Sequence, residues 1–249
     1  MPTQAVIYQQ SPQFLARACL YLENLFAFIQ ESASHSHPIM HYDALKNIIK
    51  ILHIIEKPEL KSRFSKEFIR LEHTLSKTLK LDNPELWGKF IQKSSELQNL
   101  GNRFTCNLNQ DPFLQSIKLR QSNQEQNFEL PPTQIYYWLH QDAKLRQHII
   151  KDWIDSLLKV QSFVQIYLSI LRRHAEFERI DIKDNFLYQA FGQTPLPQLL
   201  MLKIPNELTV FPKIQLANHT VSIHFNDPSN IEEPSRYSAF VVDLAIVKL

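Results

Sequence analysis

The chain has 249 residues, a formal net charge of +2 and 44% hydrophobic residues, and its mean hydropathy is −0.26. This length allows one large domain or two packed ones, and no apolar run reaches the roughly 18 residues that a membrane span requires. The only three glycines, Gly88, Gly101 and Gly192, exclude the glycine-rich loops that bind phosphates. Without a visible secretory signal, the two distant cysteines, Cys19 and Cys106, are predicted to be free thiols in a soluble cytoplasmic protein.

The first half of the chain is predicted to be helical after one short strand. Residues 4–9 contain the apolar run Ala-Val-Ile-Tyr, which predicts a strand that joins a sheet formed elsewhere in the chain. Apolar residues spaced by three and four then predict five helices. They cover about residues 11–30, 42–56, 58–79 and 84–100, with a short fifth starting at Pro112 and a loop over 31–40.

Residues 130–175 are predicted to connect the helical half to a β half. The segment opens with Leu-Pro-Pro-Thr, which indicates an extended lead-in ending at a helix N-cap, Thr133. A short aromatic turn follows at residues 135–138. Two helices are then predicted, over 142–157 and 159–173, and the second is apolar on more than one face, as in a buried helix.

After residue 175 the hydrophobic period changes from helix to strand. Residues 220–225 alternate, with Val221, Ile223 and Phe225 on one side, and 237–249 form an apolar β-branched run typical of a central strand. Further strands are predicted at 185–191, 199–204, 208–211 and 213–216, with prolines at the turns. The predicted fold class is α+β, with an N-terminal multi-helix domain followed by a smaller, mostly antiparallel β domain. The predicted domains are 10–180, helical, and 181–249, which strand 4–9 joins.

Charge is distributed unevenly between the two halves. Residues 1–179 contain 22 basic and 18 acidic side chains, whereas residues 180–249 contain 5 and 7. The predicted third helix has basic residues on the side opposite its apolar residues, which indicates either an ordinary solvated face or a surface for an acidic partner. These residues are Lys57, Lys61, Arg63, Lys66 and Arg70. A nucleic-acid-binding module using the same helices is the alternative, although the charge excess is small for that role.

Three other chemistries are weighed and set aside. His35, His37 and His41 lie in one predicted loop, but no cysteine or carboxylate cluster accompanies them. A nucleophilic pair of Cys106 and His140 lacks a third orienting group and an oxyanion turn. We therefore predict no catalytic residues, no metal site and no cofactor.

Several segments of the chain resemble the ZapD family of bacterial cell-division proteins. The strongest are FELPPTQIYYWLH (128–140) and WIDSL (153–157), with IEKPELK (55–61) upstream. Downstream segments similar to the family are LLML (199–202), FPKI (211–214) and SIHF (222–225). The resemblance depends on the order and spacing of these segments over nearly the whole chain.

The resemblance implies a non-enzymatic homodimer of two-domain chains, with dimerisation and the basic face in the helical domain. Family members bind the C-terminal peptide of the tubulin-like protein FtsZ. They cross-link and bundle FtsZ filaments and stabilise the Z-ring at the division site, midcell, in the cytoplasm. Two peptide sites in one dimer would bridge filaments with avidity. Neither membrane nor nucleic acid is expected as a partner.

The resemblance also implies where the FtsZ peptide would bind. Basic residues of the family are retained at Arg17, Lys57, Lys61, Lys118 and Arg120, whereas the family favours basic residues at positions where this chain has Tyr21, Pro112, Met201, Thr220 and His224. The peptide contact is therefore expected on the helical domain.

Overall fold

The computed structural model describes residues 5–101, 103–104, 107–121, 133–191, 196–217, 219–234, 237 and 239–249, with backbone alone at 119–121 and 230–234. Within these residues the chain forms eight α-helices and eight strands, so the predicted α+β class is confirmed. The helices are α1 (Phe14–Ser34), α2 (Pro38–Ile55), α3 (Pro58–Leu75), α4 (Thr78–Asp82), α5 (Pro84–Gln98), α6 (Pro112–Gln121), α7 (Thr133–Leu139) and α8 (Ala143–Arg173). The strands are β1 (Ala5–Gln10), β2 (Glu178–Lys183), β3 (Phe186–Ala190), β4 (Leu199–Pro205), β5 (Phe211–Leu216), β6 (Thr220–Asp227), β7 (Asn230–Pro234) and β8 (Ala239–Val247).

The chain divides into two compact units, one formed by residues 21–166 and the other by residues 1–20 and 167–249. We call them the helical unit and the sheet unit. The core of the helical unit is an aromatic cluster in which Phe68 lies 5.7 Å from Phe64, 5.2 Å from Phe90 and 6.4 Å from Phe163, measured between ring centroids. Tilted and edge-to-face contacts of this kind are the geometries that aromatic rings prefer.

Helix caps explain most of the boundaries in the helical unit. The Asn83 side chain accepts a hydrogen bond from the Leu86 N–H at 3.0 Å and starts α5, with Pro84 at the first helical position. The predicted loop at 31–40 is shorter than expected, because α1 continues to Ser34 and α2 already begins at Pro38. The reason is a cap that the sequence pattern did not reveal: His37 Nδ1 accepts from the Ile39 N–H at 3.2 Å.

The two helices predicted over 142–157 and 159–173 are a single helix, α8, of 31 residues. No glycine or proline interrupts the boundary, and the buried positions Leu157, Val160 and Val164 continue at helical spacing through it. In the part of the chain that the structure describes, α8 is the one helix long and apolar enough to cross a membrane. However, 56% of its most apolar window is buried inside the protein, as in the core helix of a soluble protein.

All strands of the sheet unit pair antiparallel in the order β1-β4-β8-β2-β3-β6-β5, with β7 beside β6. The C-terminal run is a central strand as predicted, since β8 lies between β4 and β2. The N-terminal strand does not lie beside it, because β4 separates β1 from β8. Val221, Ile223 and Phe225 are all fully buried on the core side of β6, which confirms the predicted alternation.

Three local details of the sheet unit differ from the prediction, and one of them is the short strand β7, at residues where no strand was predicted. Strand β2 was missed, and it forms a hairpin with β3 through Asp184 and Asn185, whose φ values are 54° and 56°. Asp and Asn are among the few residues that accept this left-handed conformation, so the hairpin needs no glycine. The strand predicted at 208–211 is wrong, because a turn bond from the Leu208 N–H to the Pro205 carbonyl delays the start of β5 to Phe211.

Candidate functional site

Two of the predicted basic contact residues, Lys57 and Lys61, lie at the junction between α2 and α3. Helix α2 ends at Ile55, Glu56 is its C-cap, and Lys57 is the N-cap residue of α3, without a side-chain cap bond. Lys57 is exposed, and Lys61, one turn later, is half-buried at the edge of the apolar side of α3. Neither lysine forms an ion pair with any described residue. Both charges are therefore available to a partner.

Lys118 of α6 lies at the same junction, but its charge is already paired. Its Nζ forms an ion pair with Glu56 Oε2, and the two side chains are only 17% and 26% exposed. His53 is the neighbour of this pair. Burial lowers the pKa of His53, the positive charges of Lys118 and Lys57 lower it further, and Glu56 opposes them. Because Lys118 pairs with Glu56, the residue directly before Lys57, the structure brings these two predicted residues to the same junction.

The remaining basic residues of α3 do not form one face with Lys61. At 100° per residue, Lys66 and Arg70 lie on the side of α3 opposite Phe64 and Phe68, whereas Lys61 borders that apolar side. Arg70 forms an ion pair with Glu67, in which Nη2 lies 2.7 Å from Oε1. The basic face predicted from the sequence is therefore divided: Lys57 directly follows Glu56 of the Lys118 ion pair, and Lys61 lies one turn further along α3.

The other predicted site residues lie elsewhere. Arg17 is exposed on α1, in a part of the helix that belongs to the sheet unit. Arg120 is in α6, but its side chain is outside what the structure describes, and Cys106 lies outside the described residues.

Among the positions where the family favours a basic residue, Met201 is buried in β4. His224 is exposed on β6 with its ring 4.6 Å from that of Phe186. Tyr21 is exposed on α1, Pro112 begins α6, and Thr220 begins β6.

A second feature of the helical unit, not predicted from the sequence, is an aromatic cleft of about 920 Å³. The start of α6, helix α7 and the first turns of α8 form its walls. The rings of Phe113 and Trp153 stack at 6.0 Å with an angle of 11° between their planes, and Trp138 lies 5.8 Å from each. Tyr137, which is 70% exposed, and Leu145, 46% exposed, complete the apolar lining.

The sequence predicted only a short aromatic turn at residues 135–138, whereas these residues belong to helix α7, and the cleft beside it was not predicted. Trp138 is buried, but Tyr136 and Tyr137 are exposed. The helical period of the short helix α7 places Trp138 on its inward face and Tyr136 and Tyr137 on the face toward solvent.

Asp111 fixes the geometry of the cleft with both of its carboxylate oxygens. Oδ1 caps α6 by accepting from the Phe113 and Leu114 N–H groups at 2.9 and 3.0 Å. Oδ2 accepts from Trp153 Nε1 at 3.1 Å. One side chain therefore both starts α6 and orients a ring of α8.

A buried arginine, Arg146, binds the C-terminal end of α7. Arg146 is 4% exposed and donates to the carbonyls of Leu139 and Gln141, at and just beyond the end of α7, and to the Ser36 carbonyl at 2.9 Å. Its Nε donates to His41 Nδ1 at 2.8 Å. Because Nδ1 accepts, His41 is neutral with its proton on Nε2, which faces the His35 carbonyl at 2.6 Å. Burial, and secondarily the charge of Arg146, lowers the pKa of His41, whereas the His35 carbonyl opposes them.

The histidines considered for metal binding have local structural contacts. His37 caps α2, His41 binds Arg146, and His35 lies 3.3 Å from Glu31. His140 contacts the Tyr136 carbonyl through Nδ1 at 2.8 Å. Over the described ranges, no group of three or more metal-ligating side chains is found.

Comparison with known proteins identifies the family. The model of the ZapD family, described as cell division protein, matches residues 20–224. This chain belongs to the ZapD family. Two proteins named cell division protein ZapD are among its relatives, from Coxiella burnetii (24% identity, 90% of each chain) and Nitrosomonas eutropha (28% identity, 84% of this chain and 85% of the relative). ZapD proteins take part in cell division and are not a known enzyme family.

The ZapD match covers both features of the helical unit. Residues 20–224 include the α2–α3 junction, Lys118 and every residue that lines the aromatic cleft. Arg17 and strand β1 precede the matched range.

Proposed function

We propose that this protein is a cytoplasmic division-site factor that binds the C-terminal peptide of FtsZ. As a homodimer it cross-links and bundles FtsZ filaments and stabilises the Z-ring at midcell, without catalysis. We also propose that residues 10–180 act as the helical domain, with dimerisation and the peptide site, and 181–249 with strand 4–9 as the β domain. Membership of the ZapD family over residues 20–224 is the observation that carries this proposal.

The peptide site is proposed at the α2–α3 junction, where Lys57, Lys61 and Lys118 are candidate contacts, and Arg17 and Arg120 are proposed as further candidate contacts. Lys57 and Lys61 have no ion-pair partner among the described residues, so an acidic side chain could bind them without displacing anything. Lys118 differs, because an acidic group would have to compete with Glu56 for it. We therefore assign Lys57 and Lys61 the direct contact and Lys118 a positioning role.

The aromatic cleft is proposed to take the apolar side chains of the same peptide. Helix α6 joins the two features, since it carries Phe113 in the cleft and Lys118 at the junction. Five residues of α-helix span about 7.5 Å, which is within the reach of a short peptide. Exposed Tyr137 and Leu145 offer apolar area that would leave water on binding.

The test is a titration of a labelled FtsZ C-terminal peptide with the full chain, followed by fluorescence anisotropy at two salt concentrations. We expect saturable binding that weakens at high salt, because the lysine contacts are exposed and screened. A labelled DNA oligonucleotide is the control probe. Binding of the DNA but not the peptide would contradict the proposal and favour the nucleic-acid alternative.

Matched variants locate the site. Lys57→Glu with Lys61→Glu should weaken peptide binding at least tenfold, whereas Glu56→Gln should strengthen it because the carboxylate beside Lys57 no longer repels the acidic peptide. Tyr137→Ala should weaken binding severalfold, whereas Tyr136→Ala should not, because Tyr136 is also exposed (60%, against 70% for Tyr137) but lies outside the cleft. Unchanged binding in the folded double variant would exclude the junction as the site.

A further inference from the structure

The strand order ends at β1 and at β5, apart from β7, which pairs only with β6, and these two end strands differ in how they are protected. Strand β5 contains Pro212, which has no N–H to offer a partner, and exposed Lys213, whose charge repels a second copy of itself. Proline and lysine at an edge are the usual means of preventing strand addition. Strand β1, Ala-Val-Ile-Tyr-Gln-Gln, has neither proline nor any charged residue.

The free side of β1 is accessible and regular. All six residues pair in register with β4, from Ala5 opposite Pro205 to Gln10 opposite Leu200, without a bulge. No other described strand pairs with β1. Val6 and Ile7 are 47% and 44% exposed, so part of the apolar surface of β1 is open to solvent.

The register indicates which backbone groups face outward. Antiparallel strands alternate between residue pairs that exchange two hydrogen bonds and pairs that exchange none. Because Pro205 lacks an N–H, its pair with Ala5 belongs to the second kind. The N–H and C=O groups of Ala5, Ile7 and Gln9 therefore point away from β4, toward the open edge.

We propose that β1 is a self-association surface, at which the β1 strands of two copies of this chain pair antiparallel about a twofold axis at Ile7. This register places Ile7 opposite the partner's Ile7 and Ala5 opposite the partner's Gln9. Val6 then faces the partner's Tyr8, an apolar cross-strand pair on one face of the joined sheet. Because β1 has no charged residue, this pairing opposes no like charges. Pairing two β5 strands would instead bring the proline and lysine of each copy to the shared edge.

The association is weak and reversible. Two six-residue strands bury much less than the 1,200–2,000 Å² or so of a stable interface, and the edge backbone groups are otherwise solvated. The two proposed surfaces use different residues, since β1 belongs to the sheet unit and the junction lysines belong to the helical unit. If the helical domain dimerises as proposed, pairing at β1 links such dimers into larger assemblies.

The first experiment is sedimentation velocity of the full chain over a wide concentration range. The wild-type protein should show a concentration-dependent association step, which Ile7→Lys should weaken severalfold or abolish by opposing two lysines at the twofold axis. Gln215→Lys, on the exposed side of β5, is the matched control and should keep the step. The same step in wild type and Ile7→Lys would overturn the proposal.

A cross-linking variant tests the register without weakening the edge. In a background with Cys19→Ala and Cys106→Ser, Ile7→Cys should form a disulfide-linked dimer on mild oxidation, because paired Cα atoms would lie about 5.5 Å apart. Gln215→Cys should remain monomeric on the same gel, and equal cross-linking of both would overturn the register.

Titration of the FtsZ peptide into Ile7→Lys separates the proposals. Unchanged peptide binding with lost association supports both proposals, and absent peptide binding in wild type rejects only the proposed function.

Discussion

Arg146 and Lys57 are both cationic side chains of the helical unit, but their surroundings differ completely. Arg146 is almost fully buried and donates to three carbonyls and an imidazole. Lys57 is exposed at a helix junction and pairs with no described carboxylate. A buried charge must have all its hydrogen-bond partners in place, because water cannot replace them. An exposed charge is free to bind another molecule, and its own contribution to stability is small.

This comparison predicts that charge removal destabilises the protein most at Arg146. Arg146→Met would leave the carbonyls of Ser36, Leu139 and Gln141 without their donor, at a cost of about 3–5 kcal/mol in the free energy of unfolding. Chemical denaturation followed by circular dichroism measures the change. Lys144→Met, an exposed position on the same turn of α8, is the control and should change stability little. Equal stability of the two variants would show that the Arg146 network contributes nothing to the fold.

Acidification should weaken the same network. The pKa of His41 in the folded protein is lowered from 6.5, chiefly by burial, whereas the unfolded chain keeps the ordinary value. Between the two values the unfolded state binds more protons, so the stability that His41 contributes is present above pH 6.5 and lost as pH falls through the folded pKa. His53, whose pKa is also lowered, adds to the same trend.

Denaturation curves at a series of pH values below 7 measure this effect. His41→Gln, whose amide oxygen can still accept from Arg146 but does not titrate, should reduce the pH dependence of stability. His53→Gln should reduce it less, since His53 is only half-buried. A pH dependence unaffected by His41→Gln would mean that the His41–Arg146 bond does not sense acid.

A smaller loss of stability is expected at Asp111, whose two carboxylate oxygens accept three hydrogen bonds. Asp111→Ala removes the α6 cap and the acceptor of Trp153 Nε1, at a cost of about 1–2 kcal/mol. Asp111→Asn keeps a capping oxygen but loses the acceptor for Trp153, so it should be less destabilising. Tryptophan fluorescence should shift in both variants because Trp153 loses its partner. A shift in Asp111→Ala alone would show that the cap, rather than the bond to Trp153, orders the ring.

The sequence predicted the parts of the fold that depend on local periodicity. Alternation located β6, and the caps at Asn83 and Asp111 located α5 and α6. Errors arose where a non-local or unusual contact decided the structure. The His37 cap starts α2 earlier than predicted and so shortens the loop before it. The Asp184–Asn185 turn pairs β2 with β3, and the sequence did not predict β2 because its residues are mostly polar.

The candidate site was less predictable than the fold because it depends on side chains brought together from distant segments. Lys57 and Lys118 could be singled out by charge, but the pairing of Lys118 with Glu56 joins α6 to the end of α2 and has no sequence signature. The cleft likewise combines rings from three helices. Composition alone cannot distinguish exposed Tyr137 from buried Trp138, since both are aromatic neighbours in one run.

The smallest effect on stability is expected at Lys57, where the comparison with Arg146 is sharpest. Lys57→Glu should change the free energy of unfolding by less than about 0.5 kcal/mol, because the side chain is exposed and makes no cap bond. Lys118→Glu should destabilise much more, since it opposes Glu56 in a partly buried pair. Denaturation of both variants beside peptide titrations distinguishes binding from folding. Loss of peptide binding with wild-type stability in Lys57→Glu would assign this lysine to recognition, whereas parallel loss of both would make it a structural residue and contradict its role in the proposed site.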